Sequence, residues 1–186
     1  MAAEHEGLFT AREAAEAGVS RVLVVQLKNR GRLERLAQGL YRFPAWPTTH
    51  LQQYHEALLW PQAHRSLEYA AISHESALEL YNLTQLNPGV VHVTLPRKTR
   101  IKRTPPPWMR LHFTEIADQD RRWEQGVATV SIPRAIEDVA PTQGIDAVHR
   151  AVHDARDRRL LREDELTRLV GEFGQAILEP YDARNR

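Results

Sequence analysis

The stretch T-A-R-E-A-A-E-A-G-V-S-R-V-L-V-V-Q-L-K-N-R-G-R-L-E-R-L-A-Q-G-L-Y-R-F, residues 10–43, limits the folding options of this chain more than any other part of it. Thr10 and Glu13 have the T-x-x-E spacing of a capping box, which starts a helix by satisfying two of its free N–H groups. The Ala-rich helix that follows must break at Gly18-Val19. Ser20 is a good N-cap for a second helix that stops at Gly31. A helix, a turn containing glycine and another helix make the helix-turn-helix order. Residues 33–36 and 40–43 then flank Ala37-Gln38-Gly39, a hairpin with glycine at its turn. Such a hairpin is the wing of a winged helix. Val22-Leu23-Val24-Val25 also has strand propensity, so a buried strand is the competing reading, with Ser20 and Gly31 favouring the helix.

At about 100° per residue the second helix turns Leu23, Val24 and Leu27 inward. The opposite face carries Val22, Val25, Gln26 and Asn29, flanked by Arg21, Lys28 and Arg30. Gln and Asn can bind adenine N6/N7 bidentately, and valine methyls can touch the thymine methyl. The expected DNA contacts are Arg21, Gln26, Asn29 and Arg30 in the major groove of a site containing A·T pairs. Lys28, Arg32, Arg35 and Arg42 are expected on phosphates, which position without specifying. Winged helices also serve as protein-binding modules, and charge decides between the two.

The formal net charge is only +1, but residues 21–42 carry six Lys/Arg against Glu34 alone, and residues 97–110 carry six more with no acid. These two stretches hold +5 and +6, which leaves −10 for the remainder. Two polyanion-facing surfaces on an acidic body are therefore expected. In the second stretch, Arg97, Lys98, Arg100, Lys102 and Arg103 form a basic surface that could track phosphates, dock an acidic partner or stay a solvated loop.

Pro44-Ala45-Trp46-Pro47 marks a stiff boundary, giving a DNA-binding unit over residues 1–47 and a second unit over 48–186. In the second unit, Leu51, Tyr54, His55, Leu58 and Leu59 have helical spacing after a Thr49 cap and up to Pro61. A helix over residues 73–83 points Ala77, Leu78, Leu80 and Tyr81 inward, with Ser76 and Glu79 supporting it locally. A turn at Asn87-Pro88-Gly89 leads into a strand over 90–95, and residues 108–113 and 127–132 read as further strands. Helices over 133–157, broken near Pro141-Thr142, and over 162–178 close the chain. The expected class is α+β: a winged helix-turn-helix followed by a mixed α/β domain with a small sheet and flanking helices.

Other chemistry has no comparable support. Cysteine is absent, which removes disulfides and thiolate metal sites. His149 and His153 share a helix face but lack a third ligand in any H-E-x-x-H pattern, and His74-Glu75 at a helix start fits a capping or packing role. No G-x-S-x-G, P-loop or G-x-G-x-x-G occurs, and the three lysines (Lys28, Lys98 and Lys102) all lie in the basic stretches rather than beside clustered carboxylates. The expectation is therefore no enzyme, no metal and no cofactor. With no apolar run of about 18 residues and no basic and apolar leader, a cytoplasmic protein without membrane contact is expected.

G-L-F-T-A-R-E-A-A-E-A-G-V-S and G-R-L-E-R-L-A-Q-G-L-Y-R-F-P resemble the N-terminal domain of AbiEi-type antitoxins from type IV toxin–antitoxin operons. I-S-H-E-S-A-L-E-L-Y-N-L, V-H-V-T-L-P and S-I-P-R-A-I-E-D-V are similar to the C-terminal region of that family. The resemblance implies an antitoxin that neutralises a nucleotidyltransferase-like toxin, with or without a stable complex, and represses its own operon by binding inverted repeats in double-stranded DNA. With nine residues before Thr10, the usual first helix should be short or missing. A ligand-responsive winged-helix regulator without a toxin partner is the alternative. Its second domain would carry an apolar pocket with a few polar groups.

Overall fold

The capping box forms as the spacing requires. The Glu13 amide donates to Thr10 Oγ1 (3.1 Å), and the Thr10 amide donates back to Glu13 Oε2 (2.7 Å). The computed structural model describes residues 2–63, 67, 69–83 and 89–179. Before the box, a 3-10 turn (Ala2–His5) leads into β1 (Leu8–Thr10). After it come α1 (Ala11–Glu16), α2 (Arg21–Asn29), β2 (Glu34–Ala37) and β3 (Leu40–Arg42). Ser20 caps α2 by accepting from the Leu23 amide (3.2 Å). The hairpin has Gln38-Gly39 at its tip, a bulge between Arg35 and Ala37, and β1 as a third strand in the order β1-β3-β2. β1 went unseen in the sequence because three residues are too few to show alternation.

The larger unit begins with α3 (Gln52–Gln62), which ends one residue past Pro61, near where the sequence placed its end. Next come β4 (Ala71–Ile72), α4 (His74–Leu80), β5 (Val91–Leu95), β6 (Met109–Phe113), β7 (Arg121–Glu124) and β8 (Val127–Val130). Three helices follow: α5 (Ile132–Gln143), α6 (Ile145–Asp157) and α7 (Glu163–Phe173), with a 3-10 turn at Gln175–Leu178. The five-stranded sheet has the order β6-β5-β4-β8-β7. The β5–β6 and β4–β8 pairs are parallel, and β4–β5 and β7–β8 are antiparallel. The fold is thus a mixed α+β structure with two sheets and, among the described residues, seven α-helices. None of those helices is long and apolar enough to cross a membrane.

Each face of the large sheet is covered. On β5 the residues alternate, as a strand requires. Val91, Val93 and Leu95 join the α3 side chains Tyr54, Ala57 and Leu58 in one core, which also takes in Leu8 and Leu40 from the small sheet. Ala71 and Val130 lie in a second core with Ile136, Val148, Val152 and Leu169 from α5, α6 and α7. The remaining β5 residues, His92 and Thr94, are buried polar groups that bond to the start of α4: Thr94 Oγ1 donates to Ser73 Oγ (2.8 Å) and the His92 amide donates to Ser76 Oγ (3.0 Å).

Several local readings need correction. Leu23 is exposed while Val24 is 3% exposed, so the buried stripe of a nine-residue helix is narrower than its periodicity suggests. Ser76 and Glu79 do not support their own helix. Ser76 bonds to β5, and Glu79 accepts from the Tyr54 hydroxyl (2.7 Å). The break between α5 and α6 falls at Gly144, whose φ of +76° only glycine adopts freely, while Pro141 stays inside α5. Pro141 costs α5 one amide-to-carbonyl bond near its C-terminal end, and the helix stops at Gly144, three residues later. The strand ending at Val130 gives way to Ser131, which caps α5, so Ile132 is helical. Asn87 and Pro88 of the expected turn lie outside the described residues.

Candidate nucleic-acid interface

α2 presents one buried residue and a largely exposed outer face. Val24 packs with Phe9, Ala14 and Leu33, and Leu27 is half-buried against them. Val22 is 66% exposed, and Val25, Gln26 and Asn29 are also exposed, with Arg21, Lys28 and Arg30 around them. Capping by Ser20 leaves this face intact from its first turn. Val22 and Val25 thus lie one turn apart on this face, beside two amides and three cations.

The remaining expected cations divide by what they already touch. Arg32 is exposed. Arg42 pairs with Glu34 across the hairpin (2.5 Å), and Arg35 Nε donates to the Ala37 carbonyl (3.3 Å). In the second basic segment, Arg97, Lys98, Arg100 and Lys102 are exposed. Arg103 turns inward instead: its guanidinium lies over the Trp60 ring (4.1 Å to the centroid), donates to the Trp60 carbonyl (2.6 Å) and reaches the Gln38 carbonyl at the hairpin tip (3.3 Å). The two basic segments, separated by more than fifty residues, therefore meet at the hairpin.

Beneath this surface, the capping box carries a charge. Burial alone would push the Glu13 carboxyl up, but His5 beside it and the Thr10 amide and hydroxyl bring it from 4.5 down to about 2. A carboxylate with a depressed folded value contributes stability that is present above about pH 4.5 and lost as the pH falls toward 2. Wild type should therefore lose about 1 kcal/mol more than Glu13→Gln across that window, a figure reduced for solvent screening. Urea denaturation at pH 5 and pH 3 checks it, and equal losses in both proteins would remove the assignment.

Residues 1–44 match the family model described as transcriptional regulator, AbiEi antitoxin. Over these residues the N-terminal unit is similar to the AbiEi antitoxin regulators. The matched residues comprise β1, α1, α2 and the hairpin, hence every expected DNA contact in the first basic segment. The second basic segment and the five-stranded sheet lie beyond the matched residues. A comparison with curated proteins finds no match.

Away from the interface, the structure assembles a group that no spacing in the chain reveals. His74, His92 and His112 come from α4, β5 and β6, and their ligand atoms lie within 4.8 Å of one another. Burial and then His92 push His74 down to about 4, and burial followed by the other two imidazoles pushes His112 down to about 3, so both rings are neutral. The helical pair weighed from the sequence behaves differently: His149 Nε2 bonds to the Glu179 carbonyl (2.8 Å), and His153 sits 3.4 Å from Asp157.

Proposed function

We propose that this chain is the antitoxin of a type IV toxin–antitoxin pair and represses its own operon. In this reading residues 1–47 act as a winged helix-turn-helix on operator inverted repeats, and residues 48–186 neutralise a nucleotidyltransferase-like toxin. The observation that carries the DNA half is the exposed α2 face of Val22, Val25, Gln26 and Asn29, with cations along its flanks and the hairpin beside it. Gln26 and Asn29 read adenine edges, the valines meet thymine methyls, and Arg21 and Arg30 reach the groove at either end. Lys28, Arg32, Arg35 and Arg42 hold phosphates, and Arg97, Lys98, Arg100 and Lys102 extend that track past the hairpin. The toxin half is supported by the AbiEi match and by the family resemblance of the downstream blocks.

Binding to the DNA upstream of the chain's own gene, compared with a scrambled duplex, tests the reading face. The Gln26→Ala/Asn29→Ala variant should lose about 1–3 kcal/mol of discrimination for each contact removed. Lys28→Ala should weaken both duplexes alike and flatten the salt slope by about one. Undiminished preference in the double variant would reject the assigned face.

One observation favours a second reading. A cleft of about 430 Å³ lies between α4, α5 and α6, lined among others by Leu78, Leu83, Val139, Ala151, Asn82 and Asp154. Apolar walls with a few polar groups suit a small effector, as in a ligand-responsive regulator. Co-expression with a neighbouring nucleotidyltransferase gene separates the two. Restored growth supports the antitoxin, and continued toxicity supports the regulator.

A further inference from the structure

The three histidines are brought together by the sheet and by a strained backbone. β5 and β6 run parallel with Thr94 opposite His112 and His92 opposite Arg110, so His92 and His112 share the face on which α4 begins. His92 Nδ1 and His112 Nε2 are 3.1 Å apart, and the His74 ring stacks on His112 with centroids 3.7 Å apart. His74 opens α4 at a φ of +54°, a left-handed conformation that a side-chain-bearing residue holds only when its surroundings impose it. That turn is what aims its imidazole at the other two.

Two buried oxygens around the group lack hydrogen-bond partners. Glu75, 7% exposed, bonds through Oε1 to Gln143 Nε2 (2.9 Å), but its buried Oε2 makes no hydrogen bond and faces His92 Nδ1 at 3.6 Å. Asp138 pairs through Oδ1 with Arg134 (2.8 Å), and its buried Oδ2 makes no hydrogen bond and faces His74 Nδ1 at 3.7 Å. An unsatisfied buried carboxylate oxygen carries a desolvation penalty that a cation would remove.

We propose that His74, His92 and His112 bind a divalent transition-metal ion of the zinc type, with Glu75 Oε2 as the fourth ligand. Bonds of about 2.0–2.1 Å in a tetrahedron set neighbouring ligand atoms about 3.4 Å apart. The His92–His112 and Glu75–His92 separations, 3.1 and 3.6 Å, bracket that value. The proton shared by His92 and His112 moves to the far nitrogen by a tautomer shift, which turns both facing atoms into lone-pair donors. Ser73 Oγ (2.9 Å) occupies His74 Nδ1, with the Asp138 carboxylate beyond it at 3.7 Å, which leaves Nε2 for the ion and supplies outer groups that orient a ligating imidazole. Three imidazoles and one carboxylate without cysteine suit zinc, and also cobalt or nickel, over calcium or magnesium. A bound ion would tie the start of α4 to β5 and β6, stabilising the sheet independently of DNA binding.

The purified full-length protein, stripped with chelator, is titrated with Co²⁺ and then Zn²⁺. The expected result is a saturable one-site visible spectrum of four-coordinate Co²⁺, displaced by Zn²⁺, together with a higher melting temperature. His112→Gln should bind about 100-fold or more weakly, and Asp138→Asn about 10- to 100-fold more weakly. His149→Ala/His153→Ala should bind as wild type does. Circular dichroism establishes that each variant is folded, and if a histidine variant is not, the wild-type titration decides alone. Absence of both the wild-type Co²⁺ spectrum and the Zn²⁺-induced stabilisation, or full binding by folded His112→Gln, overturns the site.

Discussion

Arg168→Met should lower the stability of the chain by about 3–5 kcal/mol, the cost of leaving a buried charge without its partner. Asp120 is 3% exposed at the end of the short turn before β7. Its Oδ1 accepts from Arg168 Nη1 (2.7 Å) and from the Ser131 hydroxyl (2.7 Å), and its Oδ2 accepts from Arg168 Nη2 (3.3 Å). The same guanidinium pairs with Glu137 through Nε (2.6 Å) and Nη2 (2.5 Å). One side chain of α7 thus neutralises an acid from the β7 turn and another from α5. Methionine keeps much of the stem's packing and deletes the charge, so the loss reports on electrostatics and hydrogen bonding. Adding Asp120→Asn to Arg168→Met should recover part of the loss by removing the stranded charge. Arg12→Met, which breaks the exposed pair with Glu16, should cost less than about 0.5 kcal/mol. Urea unfolding of the four proteins checks the series. A loss below about 1 kcal/mol for Arg168→Met would show that water replaces the guanidinium.

The second large effect is expected at Gly7. Its φ is +82°, and a Cβ there would lie 2.6 Å from Trp46 Cβ and 2.7 Å from Trp46 Cγ. The Gly7 carbonyl also accepts from the Phe43 amide (3.0 Å), so the residue cannot rotate away without releasing the start of the β1–β3 pairing. Gly7→Val combines an unfavourable backbone with overpacking, and about 3 kcal/mol of destabilisation is expected. Gly18→Val, at φ +79° but in open space, should show the backbone part alone, about 1–2 kcal/mol. Thermal unfolding compares them, and equal losses would mean that Trp46 yields without cost.

What the chain disclosed in advance was what is local. The Thr10–Glu13 box, the Ser20 cap and the Gln38-Gly39 turn each depend on residues no more than four apart, and all three form. β5 was legible because Val-His-Val-Thr-Leu has a strand's composition and turn residues before it. β4 and β7 were not, since two and four residues carry too little pattern and their stability comes from β8 between them. The expected DNA-reading face of Val22, Val25, Gln26 and Asn29 is exposed, yet Arg103, expected on the second basic surface, turns inward. Only tertiary structure brings Trp60 and Gln38 to the same guanidinium. The histidine group was illegible for the same reason: its members are 18 and 20 residues apart on three elements, a separation that carries no ligand spacing.

Arg103 also changes what the basic segment at residues 97–103 is. Lying over the ring of Trp60 in α3 and donating to the hairpin tip, it ties the two together from the far half of the chain. A molecule that grasps this segment and draws it outward must unlatch the tip in the same movement. Through Arg103 the segment is therefore a handle on the hairpin.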